Sequence, residues 1–369
     1  MGSSNLHLLQ EQGQSVWLDS LSREMLVTGE LARHMEENAV TGVTSNPTIF
    51  QKALATGDWY DDQLREIGDR YDDPLLIFRD LAIKDIQDAC DLMRPVWEQR
   101  QGTDGYVSLE VDPRLAYDTD TTRERAILLH EKVDRPNLFV KIPATEAGLP
   151  AIEDSTAAGK AINITLIFSL DRHAQVMEAY IRGLERFVES GGDPGTVFSV
   201  ASFFVSRVDT EADKRLEAIG TEEALALRGK LGIANARLAY QAYLETFSGE
   251  RWDALAAKGA RKQRCLWAST STKNPEYRDV LYVEELIGPE TVNTMPIETI
   301  EAFQDHGFIS ETLTKDVDKA RELLDELRSV GVHYDDVVRV LEEEGVQKFT
   351  ESFMDLLEGI ERKRELVTA

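Results

Sequence analysis

Cysteine is scarce in this sequence, and the other side chains that commonly bind metals are scattered. Only Cys90 and Cys265 occur among 369 residues, which is too few for a disulfide framework and favours a reducing cytoplasm as the location. The six histidines show no His-x-x-x-His spacing, and no Cys-x-x-Cys occurs. We therefore expect no metal site in the protein.

Long apolar runs and basic residues are also in short supply. No run of about 18 apolar residues exists, so no transmembrane helix is expected. Residues 1–14 lack the basic head and apolar stretch of a signal peptide. The 41 lysines and arginines against 67 aspartates and glutamates give a net charge of −26. Such a surface repels phosphate backbones and anionic lipids, so neither nucleic acid nor membrane is expected as a partner. An anionic substrate would need a local basic pocket.

Short β-rich runs alternate with segments of helical period along most of the chain. This alternation predicts parallel strands joined by helical crossovers. Eight such units predict an α/β fold of the (β/α)8 TIM-barrel type, and an open doubly wound sheet is the alternative. No Gly-x-Gly-x-x-Gly follows the first strand, so the dinucleotide fingerprint is missing. The predicted strands lie at approximately 15–20, 42–46, 106–112, 138–144, 162–168, 196–205, 264–270 and 291–295.

Two helical segments exceed what a minimal barrel needs. Residues 51–101 predict extra helices between strands 2 and 3, and residues from about 315 to 369 predict a helical C-terminal extension. In that extension Val346, Phe349 and Phe353 keep helical spacing, so it is expected to pack against the barrel. No linker or internal repeat divides the chain. We therefore expect one domain over residues 1–369, with the barrel strands within about 15–296.

Polar residues alternate with apolar ones along two of the predicted strands. Ser108, Glu110 and Asp112 form one polar set, and Asn163 and Thr165 form another. If helices cover the outside of a barrel, the apolar residues face them and the polar sets point inward. The polar groups then converge toward the C-terminal ends of the strands, where barrel enzymes carry out their chemistry. In a half-exposed antiparallel sheet, the same residues would simply face solvent.

Lys141 is unusual because it lies inside the apolar strand Leu-Phe-Val-Lys-Ile-Pro. Most lysines of a chain decorate solvated helices, but burial disfavours the charged form of a lysine and lowers its pKa. A neutral amine can attack a carbonyl and form a Schiff base. A buried lysine can equally pair with a carboxylate as a structural strut. The strand pattern alone leaves both interpretations open.

Five segments of the chain, taken together, resemble transaldolases. They are Thr-Ser-Asn-Pro-Thr at 44–48, Val-Ser-Leu-Glu-Val-Asp-Pro-Arg at 107–114, Asn-Leu-Phe-Val-Lys-Ile-Pro-Ala-Thr-Glu-Ala-Gly at 137–148, Ile-Asn-Ile-Thr-Leu-Ile-Phe-Ser at 162–169 and Ser-Phe-Phe-Val-Ser-Arg at 202–207. Each pattern is weak alone, but the five follow the family's order between residue 16 and about residue 306. The resemblance is to the longer bacterial type, and it implies a barrel with the reactive lysine on the fourth strand.

This resemblance implies a transferase of carbohydrate metabolism. Transaldolases move a dihydroxyacetone unit from sedoheptulose 7-phosphate or fructose 6-phosphate to glyceraldehyde 3-phosphate or erythrose 4-phosphate, in the non-oxidative pentose phosphate pathway. By the resemblance, Lys141 forms the Schiff base, and the protonated imine takes up electrons without a cofactor. Asp19 removes a hydroxyl proton during cleavage. Glu110 acts as acid and base through a water molecule that Thr165 helps to hold.

The resemblance also assigns the residues that hold the substrate. Asn46, Asn163 and Ser202 match residues that bind hydroxyls of the dihydroxyacetone unit, and Phe204 lies beside them in the expected substrate pocket. Without the resemblance these residues have simpler interpretations. Asn46 before Pro47 could shape a turn, and the Ser202 hydroxyl could be satisfied within the core.

The phosphate group is expected to bind at arginine, and here the sequence departs from the family. Arg207 matches a phosphate-binding arginine, and a guanidinium suits a phosphate. Many transaldolases have a second arginine after the seventh strand, whereas residues 267–274 contain none. We expect Ser271 and Lys273 to replace it. The expected partners are small sugar phosphates, and the protein is expected to be a monomer or a homodimer.

Two other functions remain as alternatives. Fructose 6-phosphate aldolases are relatives that release dihydroxyacetone instead of transferring it. They are much shorter, and typically have glutamine in place of Glu110 and tyrosine near Phe204, so length and both residues favour transfer. A non-catalytic sugar-phosphate-binding barrel is the second alternative. Nothing in the sequence favours it.

Overall fold

A computed structural model describes residues 4–368, and its centre is a closed barrel of eight parallel strands. Each strand pairs with its neighbours in chain order, and the first strand also pairs with the last. The strands are β1 (Gln14–Leu18), β2 (Val40–Thr44), β3 (Val107–Glu110), β4 (Leu138–Pro143), β5 (Ile162–Ile167), β6 (Ser199–Phe204), β7 (Arg264–Ala268) and β8 (Thr291–Met295). The (β/α)8 prediction is confirmed.

Helices surround the barrel. They are α1 (Asn5–Glu11), α2 (Arg23–Val27), α3 (Glu30–Glu37), α4 (Pro47–Ala55), α5 (Asp61–Ile67), α6 (Pro74–Gln99), α7 (Thr119–Val133), α8 (Gly148–Ala157), α9 (Leu170–Glu189), α10 (Ser206–Ile219), α11 (Glu222–Leu225), α12 (Leu231–Thr246), α13 (Glu250–Ala256), α14 (Leu281–Glu285), α15 (Ile297–His306), α16 (Val317–Ser329) and α17 (Tyr334–Thr368). Within residues 4–368, no helix combines the length and apolar character needed to cross a bilayer.

The extra helices lie where the hydrophobic pattern predicts them. Helices α4, α5 and α6 connect β2 to β3, and α16 with α17 form the C-terminal extension. Helix α17 packs against α4, α5 and α6, and also contacts α10 and β5. Its buried residues Phe353, Leu356 and Ile360 join the main core, whereas Phe349 belongs to a second apolar cluster. The extension therefore covers the barrel side that carries α4.

The barrel interior changes from aromatic to polar along the strands. Near the N-terminal ends, Tyr106 stacks on Phe139 with 4.0 Å between ring centroids, and Phe198 and Trp17 lie within 6.1 Å of Phe139. Phe139 and Lys141 share the inward face of β4 because side chains alternate along a strand. An aromatic floor thus closes the barrel below its polar residues.

Strand register brings the polar residues of neighbouring strands side by side. Glu110 of β3 pairs with Lys141 of β4, and Lys141 in turn pairs with Asn163 of β5. Residues at one level of a barrel with the same inward orientation can contact one another. This level is the base of the site described below.

The inward orientation expected for Asp112 is wrong. Strand β3 ends at Glu110, and Asp112 instead precedes the short 3₁₀ helix Pro113–Leu115. Its carboxylate accepts a hydrogen bond from the Arg114 backbone N–H at 3.0 Å and forms an ion pair with the Arg114 guanidinium at 2.6 Å. Because Pro113 ends the strand, the two-residue alternation stops before Asp112.

Candidate active site

A cavity of about 320 Å³ opens at the C-terminal ends of the barrel strands. Its lining comes from residues at the ends of β1, β2, β4, β5, β6, β7 and β8, together with α4, α10 and α17. Nine of the eleven predicted site residues line it: Asp19, Asn46, Lys141, Thr165, Ser202, Phe204, Arg207, Ser271 and Lys273. The other two, Glu110 and Asn163, contact this lining from within the barrel.

The Lys141 amine is buried at the base of the cavity. Its side chain is 7% exposed, and Nζ lies 3.3 Å from Oε2 of Glu110. Nζ also donates a hydrogen bond to the Ser45 backbone carbonyl at 3.1 Å. Strand β4 fixes the direction of the side chain, so the amine is held beside the cavity by two partners. The geometry is compatible with a nucleophile and with the buried ion pair that the sequence left open.

Glu110 is set apart from an ordinary surface carboxylate by its surroundings. Burial raises its pKa, while the nearby Lys141 ammonium opposes this shift and Asp19 adds to it. Oε1 of Glu110 and Oγ1 of Thr165 are both buried, and neither has a hydrogen-bond partner within residues 4–368. Buried polar atoms are rarely left without a partner. The two groups can therefore accept or donate hydrogen bonds to a small molecule.

Asp19 follows directly after β1 and lines the cavity beside the ends of β2 and β8. Its backbone N–H donates to the Met295 carbonyl at 2.8 Å, which continues the β1–β8 ladder. Its carboxylate Oδ1 accepts a hydrogen bond from Thr44 Oγ1 at 2.7 Å. The hydroxyls of Thr44 and Thr294 lie 2.6 Å apart. These contacts hold one oxygen of Asp19 and leave the other for a ligand.

Asn163 and Ser202 belong to a buried row of hydrogen bonds across the barrel. Ser202 Oγ donates to Asn163 Oδ1 at 2.7 Å, and Asn163 Nδ2 donates to Ser108 Oγ at 3.1 Å. Asn46 lies at the N-cap of α4, where its side-chain oxygen accepts from the Ile49 N–H at 3.1 Å. The cap orients the Asn46 carboxamide, so its NH₂ group is the part that can meet a ligand.

Arg207 contacts two aromatic rings at the edge of the cavity. Its Cζ atom is 5.1 Å from the ring centroid of Phe204 and 5.7 Å from that of Phe349. Burial lowers the pKa of Arg207, although Asp19 and Glu110 oppose the shift. Its Nη1 is buried without a hydrogen-bond partner in the described part of the chain. The rings therefore hold a guanidinium that can bind an anion.

Lys273 and Ser271 lie in the loop after β7, beside Arg207. Lys273 Nζ donates to Ser271 Oγ at 2.7 Å. Burial lowers the pKa of Lys273, and the positive charge of Arg207 adds to this effect. The loop is attached to α10, the helix that begins beside Arg207, through a hydrogen bond of 2.6 Å from the Tyr277 hydroxyl to Asp213. The site therefore concentrates positive charge within an acidic protein.

The sequence is similar to known proteins along nearly its whole length. A family model described as Transaldolase/Fructose-6-phosphate aldolase matches residues 16–360. The chain belongs to this family. A relative from Thermobifida fusca named Transaldolase is 55% identical over 361 residues, which span 98% of each chain. Relatives with the same name from Mycolicibacterium paratuberculosis and Mycobacterium leprae are 54% and 52% identical, over 97% and 98% of this chain and 97% of each relative.

Nine residues that line the cavity were not assigned to the substrate site from the sequence, and two of them, Lys52 and Phe349, act on its cations. Lys52 lies on α4, six residues beyond Asn46, and its charge acts on Lys273. No local pattern distinguishes Lys52 from a solvated helix lysine. Phe349 comes from α17, and no local pattern links it to the barrel mouth.

The side chains that commonly bind metal ions are not clustered in the described part of the chain. Within residues 4–368, no group of three or more histidine, cysteine, aspartate or glutamate side chains could hold a metal ion. Cys90 and Cys265 are both buried and unpaired. The side chains available for chemistry are thus an amine, two carboxyls, amides, hydroxyls and the cations at the rim.

Proposed function

We propose that this protein is a transaldolase, which transfers a dihydroxyacetone unit from sedoheptulose 7-phosphate or fructose 6-phosphate to glyceraldehyde 3-phosphate or erythrose 4-phosphate. The observation that carries the proposal is the buried Lys141 amine, 3.3 Å from Glu110, at the base of a cavity that Asp19 also lines. The relatives named Transaldolase, at 52–55% identity over nearly full length, support the same activity. The reaction belongs to the non-oxidative pentose phosphate pathway.

The first step joins Lys141 to the ketone of the donor. The neutral amine attacks the carbonyl carbon and forms a carbinolamine, which then loses water to become a protonated imine. Loss of water requires a proton for the departing hydroxyl. Glu110 supplies it through a water molecule between its Oε1 and the Thr165 hydroxyl, the two buried groups without a protein partner. The raised pKa of Glu110 suits a carboxyl that must hold a proton before donating it.

The second step breaks the bond between the carbon next to the imine carbon and the following carbon, which carries a hydroxyl group. Asp19 accepts the proton of the donor hydroxyl as that hydroxyl becomes the aldehyde of the leaving aldose phosphate. The bonding electrons pass to the protonated imine, which becomes an enamine. In the bond-forming step, the enamine carbon attacks the aldehyde of the acceptor, and Asp19 returns the proton to the oxygen that becomes the new hydroxyl group. Hydrolysis of the new imine then releases the product and restores Lys141.

Hydrogen bonds hold the three-carbon unit while the donor and acceptor exchange. Ser202 and Asn163 form one fixed row along the cavity wall, and Asn46 faces the cavity from the N-cap of α4. These groups bind the hydroxyls that remain on the enamine. A retained enamine favours transfer, because the unit must stay bound until the second aldehyde arrives.

The phosphate end of each sugar binds at the rim. Arg207, oriented by Phe204 and Phe349, provides a guanidinium, and Lys273 with Ser271 provides an ammonium and a hydroxyl. Lysine replaces the missing second arginine as a point charge. The three cations Arg207, Lys273 and Lys52 offset the net charge of −26 at this one place.

The experiment that tests transfer compares turnover with and without an acceptor. With fructose 6-phosphate alone, we expect at most one turnover per protein molecule, since the enamine has no aldehyde to attack. Adding erythrose 4-phosphate should give multiple turnovers and sedoheptulose 7-phosphate. Continuous release of free dihydroxyacetone without an acceptor would indicate the aldolase alternative. Binding of the sugar phosphate with no turnover at all would indicate the non-catalytic barrel.

A further inference from the structure

A second, larger cavity lies at the opposite end of the barrel. It has a volume of about 580 Å³ and is lined by residues at the N-terminal ends of β1, β7 and β8 and by the segment before β3. The aromatic floor of the barrel, which includes Phe198, separates it from the Lys141 cavity. Three arginines line it: Arg100, Arg261 and Arg264.

Arg264 lines this cavity and forms no ion pair within residues 4–368. Its Nη2 donates to Ser15 Oγ at 2.8 Å and to the Thr291 carbonyl at 2.5 Å, and its Nη1 donates to the Thr103 carbonyl at 3.2 Å. Its Nε is buried and has no hydrogen-bond partner among residues 4–368. Burial lowers the pKa of Arg264, the charges of Asp104 and Glu290 oppose this shift, and the charge of Arg100 adds to it. A buried guanidinium bound only by neutral groups retains most of its attraction for an anion.

The two carboxylates that line the cavity have other partners. Asp104 accepts hydrogen bonds from Trp17 Nε1 at 2.8 Å and Thr41 Oγ1 at 2.9 Å, and also from the Ser15 hydroxyl. Glu290 forms an ion pair with Lys262 at 2.8 Å. Neither carboxylate forms an ion pair with one of the three arginines. The partners of Asp104 are neutral, so its charge offsets part of the positive charge, but four basic and two acidic side chains leave the lining with a net positive charge.

Such unpaired arginines are exceptional in this protein. Acidic residues outnumber basic ones by 67 to 41, and most arginines of the described chain form an ion pair. Within residues 4–368, Arg207 forms none, as expected for a group that binds a substrate anion. Arg100, Arg125, Arg261 and Arg264 also form none in this part of the chain, and all of these except Arg125 line one cavity. Chance placement on an acidic surface would pair them with nearby carboxylates.

We propose that this cavity is a second binding site, separate from the Lys141 cavity, for a small molecule that carries phosphate groups. Guanidinium groups bind phosphate oxygens through paired hydrogen bonds, and three of them suit a ligand with more than one anionic group. The volume lies within the usual range for small-molecule sites, about 300–1,000 Å³. Another cavity, of about 570 Å³, adjoins the proposed site and shares Arg261 and Phe198 with it. The Arg261 side chain therefore has open space on two sides.

The test measures binding of inorganic pyrophosphate by isothermal titration calorimetry. The background is the full chain carrying Arg207→Ala, which weakens anion binding at the Lys141 cavity. Arg261→Ala is added to this background, and Arg339→Ala serves as the matched control. Arg339 is an exposed arginine of α17 with the same charge, paired with Asp336 and Glu343. The Arg261 backbone carbonyl accepts from Tyr180, a contact that the substitution keeps, so folding should survive.

If the cavity binds phosphate groups, the Arg207→Ala background should bind pyrophosphate, and adding Arg261→Ala should weaken this binding at least ten-fold. Adding Arg339→Ala should change it less than two-fold, and Arg100→Ala should reproduce the effect of Arg261→Ala. Turnover of sugar phosphates should persist in the single Arg261→Ala variant. The proposal is overturned if the background protein does not bind pyrophosphate at millimolar concentration. It is equally overturned if Arg261→Ala weakens binding no more than Arg339→Ala does.

Discussion

Replacing Phe349 by leucine should weaken substrate binding without slowing the chemistry. The Phe349 ring centroid lies 5.7 Å from the Arg207 guanidinium carbon, and the Phe204 ring centroid lies 5.1 Å from it. Leucine keeps apolar contact but removes one π face. A partly desolvated cation–π contact is worth ~1–2 kcal/mol. If that free energy positions Arg207 for the phosphate, KM should rise roughly 5- to 30-fold, since 1.4 kcal/mol corresponds to a factor of ten.

Steady-state kinetics with fructose 6-phosphate as the varied donor would measure this effect. Because Arg207 binds the end of the sugar remote from the imine, kcat should change less than two-fold, roughly the pattern of lost uniform binding. Phe353→Leu is the matched control. Phe353 lies one turn further along α17, packs edge-on against Phe78 at 5.5 Å between centroids and contacts Arg114 instead of Arg207.

Both variants should lose a similar amount of stability in thermal melts, because both rings are buried. Only Phe349→Leu should raise KM. An unchanged KM in Phe349→Leu, or an equal rise in Phe353→Leu, would show that the ring does not position Arg207. The first result would leave Phe349 in the cavity lining without a role in substrate binding, and the second would reduce its effect to general loosening of the fold.

Three further changes probe other parts of the account. Asp19→Asn should still form the covalent adduct but cleave it roughly 100-fold or more slowly in single-turnover assays, since it loses the proton acceptor; unimpaired cleavage would exclude that role. Lys273→Ala should raise KM for phosphosugars about ten-fold through loss of a charged contact, and an unaltered KM would contradict the phosphate assignment. Burial raises the pKa of Asp209 from 3.8 to about 7, so folding takes up a proton between these pH values. Urea unfolding should therefore show wild-type stability falling as pH rises from 4 to 8 relative to Asp209→Asn, by up to about 4 kcal/mol; parallel pH profiles would refute the assignment.

The barrel and the chemical centre could be predicted because both follow from short-range patterns. Alternation within β3, β4 and β5 determines which side chains point inward, and closure of the sheet then makes Glu110, Lys141 and Asn163 neighbours. A lysine in an apolar strand is rare enough to stand out. The family's own segments then suggested which of the inward groups act on substrate, a distinction that polarity alone does not make.

Residues brought in from distant segments could not be predicted in the same way. The stripe that contains Phe349 shows that α17 has a buried face, but not that one ring contacts Arg207. Lys52 resembles any solvated lysine until α4 is docked beside the loop after β7. The expectation for Asp112 was wrong because Pro113 ends the strand and the nearby Arg114 captures the carboxylate. Each case depends on tertiary packing or chain termination, which periodicity does not describe.

The central claim is that the Lys141 amine forms a covalent bond with the donor sugar, and reductive trapping tests it most directly. Borohydride added with fructose 6-phosphate should leave a reduced dihydroxyacetone unit on the peptide that contains Lys141, as located by mass spectrometry. The adduct should be absent from Lys141→Ala and retained in Lys132→Ala, a control at an exposed lysine of α7. An adduct on another lysine, or turnover that persists in folded Lys141→Ala, would contradict the account.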